Sequence, residues 1–204
     1  MDRLRHALSV SLTAALLAVC SLSVMTADAN EWPQWQGPNR DLTNEEAGLM
    51  KSWPEDGPQR VWFFENAGEG YSGPAIVDGR LYTMGARNGV AELIVLDAKT
   101  GAELWSHKLA EKLVNGWGDG PRGTPTVDGY RVYCLTAAGT LACLSTADGE
   151  LIWQKTMQTL GGAIPKWGYS ESPLIDGDEV LITPGGELGA IFALDKQTGS
   201  IRWR

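Results

Sequence analysis

Three stretches decide the fold: VLDAKTGAELW at residues 95–105, CLSTADGELIW at 143–153 and ALDKQTGSIRW at 193–203. Each is an apolar run, a polar turn closed by glycine, and a tryptophan four residues after that glycine. The glycines are Gly101, Gly149 and Gly199, and the tryptophans are Trp105, Trp153 and Trp203. Upstream of each lies an apolar run ending in Asp-Gly, at Asp78, Asp128 and Asp176. Two anchors kept through three copies define an internal repeat with a period of roughly 49 residues, the scale of repeat architectures.

Within a copy the pattern predicts four short strands. In the first they are 74–77, 80–85, 92–96 and 102–108. Asn88-Gly89, Ala138-Gly139 and Gly185-Gly186 read as the hairpin turns between the second and third strands, because adjacent positive-φ residues suit two-residue turns. Four antiparallel strands per repeat make a propeller blade. Blades are predicted over 70–109, 120–157 and 168–204. A superhelical β-solenoid is the alternative and would need shorter coils. Arg60 to Glu65, with Trp62, reads as an outer strand lacking three partners; it is expected to complete the last blade of a full ring. The propeller region is thus 60–204, preceded by an arm over 30–59.

The tryptophans have a structural reason. A blade cannot bury both faces alone, and a large planar ring at one place in each blade packs between neighbours. Trp105, Trp153 and Trp203 are expected there, with Asp97, Gly101, Gly149, Asp195 and Gly199 shaping the turns that lead to them.

Composition agrees. The 204 residues include 25 glycines and 9 tryptophans, which excludes a glycine-triplet collagen and does not suit a coiled coil. The net charge is −8 and no basic run exists, so the phosphate-neutralising face of a nucleic-acid binder is missing. No nucleic-acid partner is expected.

Residues 1–29 read as a secretory signal: Arg3 and Arg5, then an apolar stretch, then Ala27-Asp28-Ala29 as a cleavage site. Cleavage after Ala29 leaves no integral membrane span and places the protein in the periplasm or outside the cell. A lipoprotein attached at Cys20 is the lesser reading, because Val19 is bulky where a small residue is expected.

The repeat stretches resemble the tryptophan-docking motif, A-x-D-x-x-T-G-x-x-x-W, of quinoprotein-type β-propellers. The third copy matches fully at Ala193, Asp195, Thr198, Gly199 and Trp203. The first has Val95 for Ala; the second has Cys143 for Ala, Ser145 for Asp and Asp148 for Thr. EWPQWQGPNRD at 31–41 resembles the start of secreted bacterial PQQ-binding-like β-propeller repeat proteins. The resemblance implies an all-β ring of seven or eight blades, of which this chain carries about three. It also implies two functions. One is a non-catalytic binding or assembly scaffold, as in outer-membrane assembly lipoproteins of similar fold. The alternative is a PQQ-dependent alcohol or sugar dehydrogenase. Such enzymes hold the quinone between an adjacent-cysteine disulfide and a Trp, with calcium on Glu, Asn and Asp. This chain has no Cys-Cys pair, so no cofactor-binding or catalytic residue is carried over; quinone and calcium belong to the alternative alone.

The residues themselves offer little chemistry. After cleavage His107 is the one histidine, on a predicted outer strand without a nucleophile motif. No metal set is expected. A two-residue turn at Ala138-Gly139 would put Cys134 opposite Cys143, as a disulfide or as two buried thiols. The long loops between blades are richer. They carry Tyr71, then Trp117 with Arg122, then Lys166, Trp167 and Glu171. Loops from an outer strand to the next inner strand gather on one rim. These six residues are expected either to bind a protein or small-molecule ligand there or to cover the inner strands.

Overall fold

A computed structural model describes residues 31–204; the signal and the Cys20 lipidation site fall outside the described residues. Twelve strands form three four-stranded antiparallel sheets, each in simple meander order. The first holds β1 (Ala75–Val77), β2 (Arg80–Arg87), β3 (Val90–Asp97) and β4 (Glu103–Glu111). The second holds β5 (Thr126–Asp128), β6 (Arg131–Leu135), β7 (Thr140–Ser145) and β8 (Leu151–Thr156). The third holds β9 (Leu174–Asp176), β10 (Glu179–Ile182), β11 (Phe192–Asp195) and β12 (Ile201–Trp203). Successive inner strands lie side by side, so the sheets are three blades of a β-propeller, an arc short of the four or more that close a ring.

The turns explain the strands. Asn88 and Gly89 both have positive φ, 51° and 81°, as a two-residue type I′ hairpin requires. After each third strand the chain makes one tight turn. The N–H of Gly101 donates to the carbonyl of Asp97 at 2.8 Å, and Gly199 does the same to Asp195. The Asp97 carboxylate accepts from the Thr100 N–H and hydroxyl, and Asp195 accepts likewise from Thr198. A one-residue bulge follows, between Val95 and Leu96, Cys143 and Leu144, or Ala193 and Leu194. The bulge sets each tryptophan opposite Val95, Cys143 or Ala193.

Trp105 and Trp153 then meet the next blade. The ring of Trp105 lies against Gly149, and that of Trp153 against Gly199, so close that a Cβ would fall 2.6 Å and 2.8 Å from a ring atom. Trp153 Nε1 donates to the Lys196 carbonyl at 3.1 Å. The matching carbonyl for Trp105, that of Thr146, is taken by Arg80, and Trp105 Nε1 has no partner. Trp203, on the face of β12 that no described blade covers, is 47% exposed.

Both faces of the middle sheet are buried, hence its near-continuous apolar strands. Val132, Cys134, Ala142 and Leu144 pack on Tyr82, Met84, Leu93 and Val95 of the first blade. Tyr133, Leu135, Leu141 and Cys143 pack on Val180, Ile182, Phe192 and Leu194 of the third.

Two hairpin expectations need correction. The stretch over 60–65, expected as an outer strand without its three partners, pairs with no described strand. Trp62 nevertheless lies against Gly101 and donates from Nε1 to the Ala98 carbonyl at 3.0 Å, in the manner of Trp153. Gly185-Gly186 is not a two-residue turn; the loop between β10 and β11 runs over 183–191. The hairpin at Ala138-Gly139 has a three-residue loop, closed by the Thr140 N–H donating to Thr136 Oγ1 at 3.0 Å. This shifts the register by one, pairing Cys134 with Ala142 and Tyr133 with Cys143. A one-residue slip sends side chains to opposite faces. The two thiols are free and buried, each in a different inter-blade core. Burial pushes the Cys143 thiol up to about 12 and raises Cys134 as well. Peptide mapping of the folded protein is expected to find both cysteines unlinked with or without reductant, and unreactive to iodoacetamide until denaturant is added.

Hydrogen bonds from Arg202 and Thr198 hold Asp195 down to about 2. A depressed carboxylate supports the fold above its unfolded pKa of ~4 and loses that support as pH falls toward 2. Melting temperature is therefore expected to fall between pH 5 and 2.5, and to fall less steeply in Asp195→Asn.

Candidate functional site: a rim of loops and an axial cleft

The loops that join blades lie at one end of the arc and gather the residues that the sequence singles out. Tyr71 enters the first blade, Arg122 the second, and Ser170 with Glu171 the third, two or one residues before equivalent positions Gly73, Thr124 and Ser172. Together with Trp35 and Arg40 of the arm they border a cleft of about 760 Å3. Leu174, Leu181 and Ile191 complete one wall.

The cationic groups there are held in place. The Arg122 guanidinium lies 5.9 Å from the centre of the Tyr71 ring and donates to the carbonyls of Gly118 and Gly120. Lys112 pairs with Glu69 at 2.9 Å and with Asp119 at 3.0 Å. Its ammonium holds Asp119 below the usual carboxylate range, and the Glu69 and Asp119 carboxylates raise Lys112. Glu171 accepts from the Thr183 N–H at 2.9 Å and from its hydroxyl, so its charge is spent on shaping the loop.

The aromatic side chains are left open. Tyr71, Trp117 and Trp167 are 66%, 64% and 55% exposed, and Val114 on the Trp117 loop is exposed as well. Lys166 Nζ sits 5.4 Å from the centre of the Trp117 ring. Trp117 stands on a turn in which its N–H donates to Asn115 Oδ1 at 2.9 Å. Trp167 and Glu171 border a second cleft of about 410 Å3 that adjoins the first. The structure thus brings Tyr71, Arg122 and Glu171 to one cleft, Trp167 to its neighbour, and Trp117 with Lys166 to the rim outside both.

Two residues of the cleft escape sequence reasoning. Trp35 and Arg40 lie in an arm with no periodicity, and nothing local signals that it crosses the blades. His107 is half-buried on β4, opposite Leu93 and away from the cleft.

The described residues do not fit a quinone held against an adjacent-cysteine disulfide. Cys134 and Cys143 sit in separate cores, and the lining of the cleft includes no cysteine. Among the described residues no group of three or more His, Cys, Asp and Glu side chains could hold a metal ion. No helix among them is long and apolar enough to cross a membrane.

Blades of this build, coupled by tryptophan to glycine, define a β-propeller of PQQ-like repeats. The chain belongs to the family described as outer membrane protein assembly factor BamB, whose model matches residues 48–204. It is similar to the serine/threonine-protein kinase AfsK of Streptomyces griseus, 32% identical over 80% of this chain and 19% of that protein. It is also similar to the outer membrane protein assembly factor BamB of Burkholderia pseudomallei, 30% identical over 98% of this chain and 43% of that protein. Quinone-type alcohol dehydrogenases are among the other relatives. A europium-containing methanol dehydrogenase shares the fold at 20% identity, with a TM-score of 0.54 over 71% of this chain and 26% of that one. The chain spans about a fifth to two fifths of the length of these curated relatives.

Proposed function

We propose that this chain is part of an exported, non-catalytic docking scaffold that binds a protein partner across the loop rim. The carrying observation is the set of exposed aromatics, Tyr71, Trp117 and Trp167, on loops whose charged groups are already paired with the protein itself. Interfaces are enriched in Trp, Tyr and Arg, and a few such residues carry most of the binding energy. Membership of a family described as an outer membrane protein assembly factor supports a protein as the partner. The sequence-level signal at residues 1–29 supports export, with Asn30 as the mature start.

The test is a pair of variants of the full-length protein. Trp117→Ala and Trp167→Ala are each expected to leave the melting temperature within a few degrees of wild type, since both rings are more than half exposed. Each is expected to weaken partner association by tenfold or more, the loss of about 1.4 kcal/mol or more from a hot-spot ring. Association unchanged in the double variant would contradict the rim as the docking surface.

The second reading is a quinone-dependent alcohol dehydrogenase, favoured by the dehydrogenases among the relatives. Its cofactor residues would have to come from outside this chain.

A further inference from the structure

The three inner strands present one equivalent peptide group to the propeller axis. Each is three residues long and enters a two-residue turn, with Val77–Arg80, Asp128–Arg131 and Asp176–Glu179 as the flanking pairs. A pair that flanks such a turn exchanges its own hydrogen bonds, so the neighbouring residue points its N–H and C=O out of the sheet. Those residues are Ile76, Val127 and Ile175.

The arm uses the first two. Trp32 and Ile76 exchange both bonds at 2.8 Å, and the Val127 N–H donates to the Pro33 carbonyl at 2.8 Å. The arm then turns away, and its hold on the third blade is a side chain. Arg40 Nη2 donates to the Pro173 carbonyl at 3.0 Å, and Arg40 Nε donates to Gln34 Oε1 at 2.9 Å. Ile175 makes no hydrogen bond outside its own sheet to any described residue. The arm is also under backbone strain. Gln36, Arg40 and Leu42, none of them glycine, hold φ of 66°, 55° and 61°, a conformation that persists only where surrounding contacts impose it.

We propose that the axial edges of the blades form a docking groove for an extended polypeptide segment, in which the arm is the resident, displaceable occupant and Arg40 its latch. The occupant is polypeptide because the groove offers main-chain donors and acceptors, and the arm already shows the pairing. An incoming segment would take over the bonds at Ile76 and Val127 and gain those at Ile175. The groove adjoins the cleft that Tyr71 and Arg40 share, but it is built from the main-chain groups of Ile76, Val127 and Ile175 and not from the rim aromatics.

Hydrogen exchange and a labelled synthetic peptide of residues 31–42 test this on the whole chain. In Arg40→Ala, the Val127 amide is expected to exchange at least tenfold faster than in wild type, with the amides of β6 and β7 unchanged. The peptide is expected to bind Arg40→Ala at least tenfold more tightly than wild type and to restore protection at Val127. Unchanged exchange at Val127 would overturn the latch. A fast-exchanging Val127 with no peptide binding would overturn the groove. If Arg40→Ala unfolds, seen as fast exchange throughout β6 and β7, Gln34→Ala loosens the same latch and takes the same two readouts.

Discussion

Gly149→Ala is expected to destabilise the chain by about 2–5 kcal/mol. Two costs add. The residue sits at φ 76°, where an alanine is disfavoured by roughly 1–2 kcal/mol. Its Cβ would also lie 2.6 Å from the Trp105 ring, and overpacking of this kind costs roughly 1–3 kcal/mol. Gly79→Ala separates the two. Gly79 also has positive φ, 68°, but a Cβ there meets nothing within 4 Å. It is expected to cost only the backbone part, about 1–2 kcal/mol. Urea unfolding of both variants measures the difference. Equal losses would mean that the turn alone, and not the ring resting on it, requires glycine.

Trp153→Ala is expected to cost about 3–5 kcal/mol, the range for a large buried aromatic. Trp153 is 9% exposed, packs against Tyr133 at a ring separation of 6.0 Å and reaches the Lys196 carbonyl. That carbonyl keeps a partner in the variant, because the Tyr133 hydroxyl also donates to it at 3.0 Å. The loss is therefore one of packing between the second and third blades. Trp203→Ala in the same chain is expected to cost less than about 1 kcal/mol, since its ring is half in solvent. A loss at Trp203 as large as at Trp153 would contradict the assignment of these rings to inter-blade contacts.

The repeat was legible because its marks are local. A glycine forced to positive φ and a ring at a fixed offset survive every change around them, so the three sheets could be placed from Gly101, Gly149 and Gly199. What was not legible depends on hydrogen bonds that no spacing reveals. The Thr136 hydroxyl caps Thr140 and lengthens the hairpin to three residues, which parts Cys134 from Cys143. Tyr130 and Asp178 add a residue after the first strand, so the turn falls on Gly129-Tyr130 and Gly177-Asp178, where the first blade uses Asp78-Gly79. At the site, Tyr71, Arg122 and Glu171 could be found because they precede equivalent inner strands. Trp35 and Arg40 could not, because the arm reaches the cleft by crossing blades distant in sequence.

A propeller that serves only as a docking scaffold, as proposed for this protein, turns over no substrate. Dye-coupled alcohol oxidation by the full-length protein, with added quinone and calcium, tests this most directly. The expected rate is no higher than that of the heat-denatured protein, across short alcohols and sugars. Turnover that requires both quinone and calcium would contradict it and establish the dehydrogenase reading.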